Sequence, residues 1–381
     1  MKWRNLVAAC TAITVFGFAL GMTYPLLSLL LEAEGVSTNM IGINSAMMPI
    51  GILLFSPALP LLSRRFGSRH VAISAAIVTA LLLLAYKAFD SLEAWFIIRL
   101  LQGMSVSALF VLSEAWVMQY AGNAHRGKVV AIYGAILSAS FGAGPALVSW
   151  IGIQGWLPFV IGAIVVLLSV IPLALVQDET TPEAEETAAS GISSFASKAP
   201  VLLAAVAVFA IFDAATLAFL PVYGLRIGLD LSTAALALTA LIMGNVVLQF
   251  PIGWMADRYP KRKILGFCTV TTILFAFLLP YVTTTLWMWP VLIALGAAGY
   301  GVYTVSLADL GDRFHGHELV TGSAAFAVMW GMGALLGSIS GGWAMSLFGP
   351  HGLPLLIAFS YSVLFSAMVL RNNYTNRANS T

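Results

Sequence analysis

The sequence predicts an all-α integral membrane protein with twelve transmembrane helices, arranged as two pseudo-symmetric bundles of six. Three observations support this prediction. Only 9% of the 381 residues are charged and 60% are hydrophobic, whereas about a quarter of a typical soluble chain is charged. Apolar runs of about 20 residues, the length that spans a bilayer as a helix, occur twelve times. A longer polar segment divides these runs into six and six.

The twelve runs follow one another with short connections. They lie near residues 6–31, 40–62, 70–89, 94–120, 128–152, 156–176, 200–224, 232–256, 262–283, 287–311, 318–347 and 351–370. The first run is too long for the apolar core of a cleaved signal peptide and is interpreted as a retained helix. The sixth connection is longer, polar and rich in Pro, Glu and Ser, like a flexible linker. We therefore expect an N-terminal bundle in residues 1–176, a cytoplasmic linker in 177–199 and a C-terminal bundle in 200–381.

The basic residues test this map, because cytoplasmic loops of membrane proteins carry an excess of Lys and Arg. With both termini in the cytoplasm, fifteen of the 18 Lys and Arg residues lie inside. Lys87 and Arg226 lie outside, and Arg99 lies within a span. The distribution predicts a multi-pass protein of a bacterial-type inner membrane with both termini cytoplasmic.

The two halves share a pattern of Pro, Ser and Gly. Residues of the same type recur in order about 195 positions apart: Pro25 and Pro221, Ser37 and Ser232, Pro57 and Pro251, Gly103 and Gly296, Ser113 and Ser306, Gly144 and Gly337. A duplicated six-helix unit leaves such a collinear set of matches.

The loop after the eighth span reads GWMADRYPKRK over residues 253–263. A carboxylate at a helix end, here Asp257, can pair with arginines and with the positive end of a neighbouring helix, and so hold the cytoplasmic side closed. Simple anchoring by the basic residues is the alternative. The matching loop of the first half, residues 61–69, keeps the basic residues but lacks the aspartate. The candidate cytoplasmic gate comprises Asp257, Arg258 and Arg262, together with Asp309, Asp312 and Arg313 at the cytoplasmic end of the tenth span. A solvated loop edge is the simpler interpretation of the second group.

The fourth span contains the sequence RLLQG at residues 99–103. An arginine within a span is costly enough to indicate a function, although Arg99 could also extend to the outer interface. At 100° per residue, Arg99, Gln102, Phe110 and Glu114 share one broad helix face.

Two carboxylates lie inside predicted spans, Asp213 near the middle of the seventh and Glu114 near the cytoplasmic end of the fourth. A carboxyl group in a medium of low dielectric can bind and release a proton near neutral pH. Each is therefore a candidate proton carrier or a partner for a cationic substrate. A neutral, hydrogen-bonded structural role is the alternative for both.

Three of these patterns resemble motifs of the major facilitator superfamily. Residues 253–262 resemble motif A, residues 99–103 resemble motif B, and GAGP at 142–145 matches part of motif C, which that family associates with proton-driven exporters. The first-half loop, which lacks the aspartate of motif A, resembles the corresponding loop of the YcaD-like branch of this family. The resemblance implies two six-helix bundles that rock around a midplane site, with the motif B face lining the central cavity.

The predicted function is secondary active transport of a small organic molecule by alternating access. We expect coupling to protons through Asp213, Glu114 and Arg99, with efflux slightly favoured over uptake by the partial motif C. The candidate cavity residues suit a moderately polar or aromatic ligand and disfavour a strongly anionic one: Tyr24, Gln102, Phe110, Tyr133, Asn245, Gln249 and Trp330. A nutrient or vitamin uptake permease is the alternative, and a non-transporting sensor or scaffold is the alternative from another class.

Other functions lack support in the sequence. There is no G-x-x-x-x-G-K-[ST] nucleotide motif, no basic stripe for nucleic acid, and Cys10 and Cys268 both lie in apolar runs. His315 and His317 have no third ligand for a metal. We expect a non-enzymatic monomer without cofactor or metal, whose partners are a small-molecule substrate, protons and the lipid bilayer.

Overall fold

The structure is a computed structural model that describes residues 3–120, 126–174, 195–315 and 317–378, most of them helical. The main α-helices in these ranges are α1 (Trp3–Ala33), α2 (Thr38–Phe55), α3 (Leu59–Phe66), α4 (Ser68–Ala88), α5 (Leu92–Tyr120), α6 (Arg126–Ile151), α7 (Leu157–Leu168), α8 (Val170–Ala174), α9 (Pro200–Arg226), α10 (Leu231–Arg258), α11 (Lys261–Val282), α12 (Met288–Arg313), α13 (His317–Phe348) and α14 (Gly352–Ala378).

Eleven stretches of the described residues are long and apolar enough to cross a membrane. The last stretch, Thr321–Arg371, contains both α13 and α14, which are separated by a 3-10 turn at Gly349–His351. Counted separately, these two helices bring the number of spans to twelve. The prediction of an all-α membrane protein with twelve spans is therefore confirmed.

Two predicted spans are interrupted. The second ends as α2 at Phe55, passes through a 3-10 turn and continues as α3. Pro57 and Pro60 are the second residues of the turn and of α3, within the first turn of each, where their missing N–H groups cost no helical hydrogen bond. The sixth span breaks at Ser169, whose hydroxyl donates to the carbonyl of Val166. The last helix, in contrast, extends beyond the predicted end at residue 370.

Equivalent helices of the two halves pack through equivalent glycines. A Cβ on Gly103 of α5 would overlap the Met48 carbonyl of α2, and a Cβ on Gly296 of α12 would overlap the Leu241 carbonyl of α10. Small residues let membrane helices approach this closely. These two glycines are a pair that the repeat pattern matches, so the sequence repeat corresponds to repeated helix packing.

Most of the predicted linker, residues 177–194, lies outside the described residues. Its last part is described, and Phe195 is buried there against Phe314, with ring centroids 4.9 Å apart. Residues 195–199 therefore pack onto the second half of the chain.

The helix ends meet at two faces of the bundle. The basic face is the end where α1 begins, and it carries Arg64, Arg65, Arg258 and Lys261. The opposite face holds the connections at residues 34–37, 89–91, 152–156, 227–230, 283–287 and 349–351.

Candidate functional site

The two halves of the chain are joined by an ion pair at the opposite face. Arg226, at the end of α9, donates from Nε and Nη2 to the two carboxylate oxygens of Glu32 near the end of α1, at 2.7 and 2.9 Å. The side chains of Glu32 and Arg226 are only 17% and 29% exposed. Nearby, the hydroxyls of Ser149 and Ser232 share a hydrogen bond of 2.7 Å across the same boundary.

Close helix packing extends this closure inward. Helix α2 of the first half lies on α13 of the second, and α6 lies on α10. A Cβ on Gly42 would come within 2.5 Å of the Ser338 carbonyl oxygen, and a Cβ on Gly342 would overlap the Thr38 carbonyl. Only glycine permits this backbone contact, so the opposite face is closed.

Arg99 lies beneath the closed face, one to two turns from the start of α5. It is 0% exposed. Its Nη1 donates to the Asn44 side-chain carbonyl of α2 at 2.7 Å, and its guanidinium lies 4.9 Å from the centre of the Tyr24 ring. Arg99 is therefore held inside the bundle and does not extend to the membrane interface.

Asp213 lies at the middle of the membrane-spanning part, thirteen residues from either end of α9. It is 6% exposed, and the Tyr300 hydroxyl of α12 donates to its Oδ1 at 2.8 Å. Phe212 and Tyr300 pack edge to face beside it. Tyr24 of the first half lies within electrostatic range of both Arg99 and Asp213. The carboxyl group thus lies at the boundary between the halves.

Glu114 lies nearer the basic face, six residues before the end of α5. Its side chain is exposed, and it lies within electrostatic range of Tyr133 in its own half and of Tyr303 in the other half. The Tyr133 hydroxyl shares a hydrogen bond of 2.8 Å with Ser113. Glu114 therefore faces the space between the two halves.

Three of the remaining cavity candidates lie on α10 and α5. Asn245 and Gln249 lie on α10: Asn245 donates to Ser138 across the halves at 3.1 Å, and Gln249 donates to Thr304 within its own half. Phe110 packs on Phe16, with ring centroids 4.8 Å apart.

Gln102 and Trp330 are packed against neighbouring helices. Gln102 is buried and accepts a hydrogen bond from Tyr86 of α4 at 2.7 Å. Trp330 is half-buried and packs against both the main apolar core of the bundle and the smaller apolar cluster that contains Phe195 and Phe314.

The candidate gate residues at the basic face make their contacts within the second half. Asp312 pairs with Lys261, and Arg313 pairs with Asp309 at 3.2 Å. Arg262 donates to the Met368 carbonyl at 2.9 Å, and Arg258 lies 4.4 Å from the Trp254 ring centre. Asp257 is exposed. In the described part of the chain, no ion pair at this face joins one half to the other.

The sequence reasoning missed four functional candidates: Glu32, Asn44, Arg226 and Tyr300. The sequence map gives Glu32 no role, just after the first span at 6–31, and places Arg226 outside. They are 194 positions apart, which is the spacing of the repeat, and this was the available signal. Among the described residues no group of three or more His, Cys, Asp or Glu side chains is arranged to hold a metal ion.

Comparison with known proteins places this architecture in a family. A model of the Major Facilitator Superfamily matches residues 9–244 and 226–381. YfkF of Bacillus subtilis, described as an uncharacterized MFS-type transporter, is 26% identical over 364 residues, which cover 94% of this chain and 93% of YfkF. YcaD of Escherichia coli, described in the same way, is 23% identical over 373 residues, which cover 97% and 96% of the two chains.

Solved structures share the fold. The nucleoside transporter NupG has a TM-score of 0.77 at 15% identity, with 97% of this chain and 99% of NupG covered. A D-xylose–proton symporter has a TM-score of 0.76 at 16% identity, with 96% and 97% covered. These likenesses show the fold alone, whereas the family model covers nearly the whole chain. The chain therefore belongs to the Major Facilitator Superfamily and is a multi-pass membrane protein of the secondary transporter class.

Proposed function

We propose that this transporter couples the movement of a small organic molecule to protons. The observation that carries the proposal is the placement of Asp213, a carboxyl group 6% exposed at the middle of α9 with a hydrogen bond from Tyr300. A carboxylate in a membrane interior is costly, and protonation removes that cost. Uptake and release of one proton can therefore accompany each change of conformation.

Glu114 supplies the second titratable position. It faces the space between the halves, closer to the basic face than Asp213, and it is exposed. A proton entering from the basic face meets Glu114 before Asp213. Its neighbours Tyr133 and Tyr303 come from different halves, so rocking of the halves changes its surroundings.

We assign the basic face to the cytoplasm, because fifteen of the 18 Lys and Arg residues fall in the sequence segments that the span map puts on that side. One chain carries both halves of the path, which supports a functional monomer. Efflux is our favoured direction and uptake the second candidate. The favoured direction rests on the segment 142–145 of α6, where the Gly142 carbonyl accepts a hydrogen bond from Thr239 across the halves at 3.3 Å.

A ligand screen by thermal shift on the purified protein at pH 6 and pH 8 tests the proposal. A ligand that binds the folded state raises Tm by mass action. We expect the affinity for a hit to differ several-fold between the two pH values in the wild type and to lose this dependence in Asp213→Asn. Asp90→Asn, a change at an exposed carboxylate paired with Lys87, is the matched control and keeps the dependence.

The same hit is then tested for transport in proteoliposomes with an imposed pH gradient. Gradient-driven accumulation in the wild type and its loss in Asp213→Asn and Glu114→Gln support the proposal. Full gradient-driven transport in both variants contradicts it.

A further inference from the structure

A group of buried hydrogen-bond donors surrounds Arg99 beneath the closed opposite face. Arg99 and its neighbours Asn44 and Gln102 are each 0% exposed. The Tyr24 and Tyr86 side chains both lie within electrostatic range of the Arg99 guanidinium. These residues come from helices α1, α2, α4 and α5, so four helices enclose the group.

Several donors in this group have no partner. They are Nε and Nη2 of Arg99, Nδ2 of Asn44 and Nε2 of Gln102. Each side-chain carbonyl of the group accepts one hydrogen bond, Asn44 from Nη1 of Arg99 and Gln102 from the Tyr86 hydroxyl, and neither accepts one from the unpartnered donors. Buried polar atoms are almost always hydrogen-bonded. What the group lacks is therefore an acceptor.

The charge of Arg99 favours a negatively charged acceptor. In the described ranges no carboxylate lies within ion-pairing distance of Arg99, and the buried carboxylate of Asp213 accepts its hydrogen bond from Tyr300 instead. A buried charge without a counter-charge is strongly unfavourable. Water could accept hydrogen bonds here but could not balance the charge.

The geometry of a second arginine in the same protein identifies the chemistry. Arg226 holds both oxygens of the Glu32 carboxylate with its Nε and Nη2 atoms. The unpartnered atoms of Arg99 are this same pair, Nε and Nη2. Two parallel N–H groups on one edge of a guanidinium match the two oxygens of a carboxylate.

We infer that Arg99, with Asn44 and Gln102, binds a carboxylate group of the transported molecule. The inference rests on the proposed function and narrows it to a substrate with a single carboxylate next to an apolar or aromatic part, which the Tyr24 ring contacts. One carboxylate for one arginine is compatible with the expectation from sequence that a strongly anionic substrate is disfavoured.

The test measures Tm of the purified protein in a buffer free of chloride and carboxylates. Benzoate is the probe, benzamide is its neutral isostere, and sodium chloride is the alternative small anion. We expect benzoate to raise Tm saturably, benzamide and chloride to have no such effect, and Arg99→Gln to weaken benzoate binding at least tenfold. Arg65→Gln, at an exposed arginine of the basic face, is the matched control and keeps the wild-type response.

Arg99→Lys is measured as well, in case Arg99→Gln does not fold. Lysine keeps the charge but cannot donate two parallel hydrogen bonds, so benzoate binding falls several-fold. Equal responses to benzoate and benzamide, an undiminished response in Arg99→Gln or Arg99→Lys, or a response to chloride as large as that to benzoate would overturn the inference. The two proposals fail separately. Loss of the carboxylate site appears as loss of the benzoate response at either pH, whereas loss of proton coupling appears only in the pH dependence of binding and in gradient-driven transport.

Discussion

The opposite face and the basic face both carry ion pairs, but among the described residues only a pair at the opposite face joins the two halves. Lys87 and Asp90, also at that face, pair within the first half. Glu32 and Arg226 join α1 of the first half to α9 of the second. Lys261 and Asp312 join α11 to α12 within the second half. Lys198, just before α9, pairs with Glu318 of α13, also within the second half. A contact between halves changes the equilibrium between conformations, whereas a contact within one half moves with it as a rigid body.

Burial follows the same division. Glu32 and Arg226 are the less exposed pair, and both carboxylate oxygens are used. At the basic face, one partner of each pair is about half exposed or more. Exposed pairs contribute little to stability, so we expect the pair of Glu32 and Arg226 to affect the conformational equilibrium more than the pairs at the basic face.

The largest expected effect comes from the backbone contact at the opposite face. Gly42→Ala places a Cβ against the Ser338 carbonyl oxygen and Gly342. Overpacking of this kind costs about 2 kcal/mol, which shifts the equilibrium roughly thirtyfold toward an open opposite face. The measurement is labelling of a cysteine introduced as Ser338→Cys with a membrane-impermeant maleimide, added from the opposite face.

The labelling measurement uses a cysteine-free background and a matched control variant. Cys10 and Cys268 are replaced by alanine so that only the introduced thiol reacts. Gly134→Ala is the control, because a Cβ there meets no atom within 4 Å. Equal labelling rates for Gly42→Ala and Gly134→Ala would show that the contact does not hold the face closed.

An intermediate effect is expected for the ion pair. Glu32→Gln removes the charge but keeps the shape of the side chain. Because the pair is partly exposed, the closed face loses about 1 kcal/mol of stabilisation, which corresponds to a roughly fivefold faster labelling. Arg226→Gln should act equally, and the double variant should add little to either single change. The charge swap Glu32→Arg with Arg226→Glu should restore slow labelling. Additive effects of the two single changes would refute the pairing.

The smallest effect is expected at the basic face. Lys261→Gln breaks the pair with Asp312 inside one half, which changes stability by at most about 1 kcal/mol. The labelling rate of Ser338→Cys should stay within twofold of the wild type. An increase as large as that of Glu32→Gln would remove the distinction between the two faces.

The overall fold was predictable because the bilayer imposes it. The length of each apolar run and the positions of Lys and Arg define the spans and which loops share a side. The interruptions at Pro57 and Ser169 were harder to predict, because the apolar sequence continues through both positions. The repeat of Gly103 and Gly296 was visible in the sequence, and the structure supplies its cause in close helix packing.

The partners of the candidate site residues were not predictable from patterns along the chain. Asn44 lies 55 positions from Arg99, and Tyr300 lies 87 positions from Asp213. Periodicity selects the face of one helix, but the helix opposite depends on the packing of the bundle. The pair of Glu32 and Arg226 was hidden for the same reason, although the repeat spacing relates their positions.

The most direct test of the account is a cross-link between Ser149→Cys and Ser232→Cys, in the background without Cys10 and Cys268. The two hydroxyls are 2.7 Å apart across the halves at the opposite face. The account predicts that oxidation forms the disulfide readily, that transport of the ligand found by thermal shift is then lost, and that reduction restores it. A failure to cross-link, or full transport by the cross-linked protein, would contradict a cycle in which this face closes and must open again.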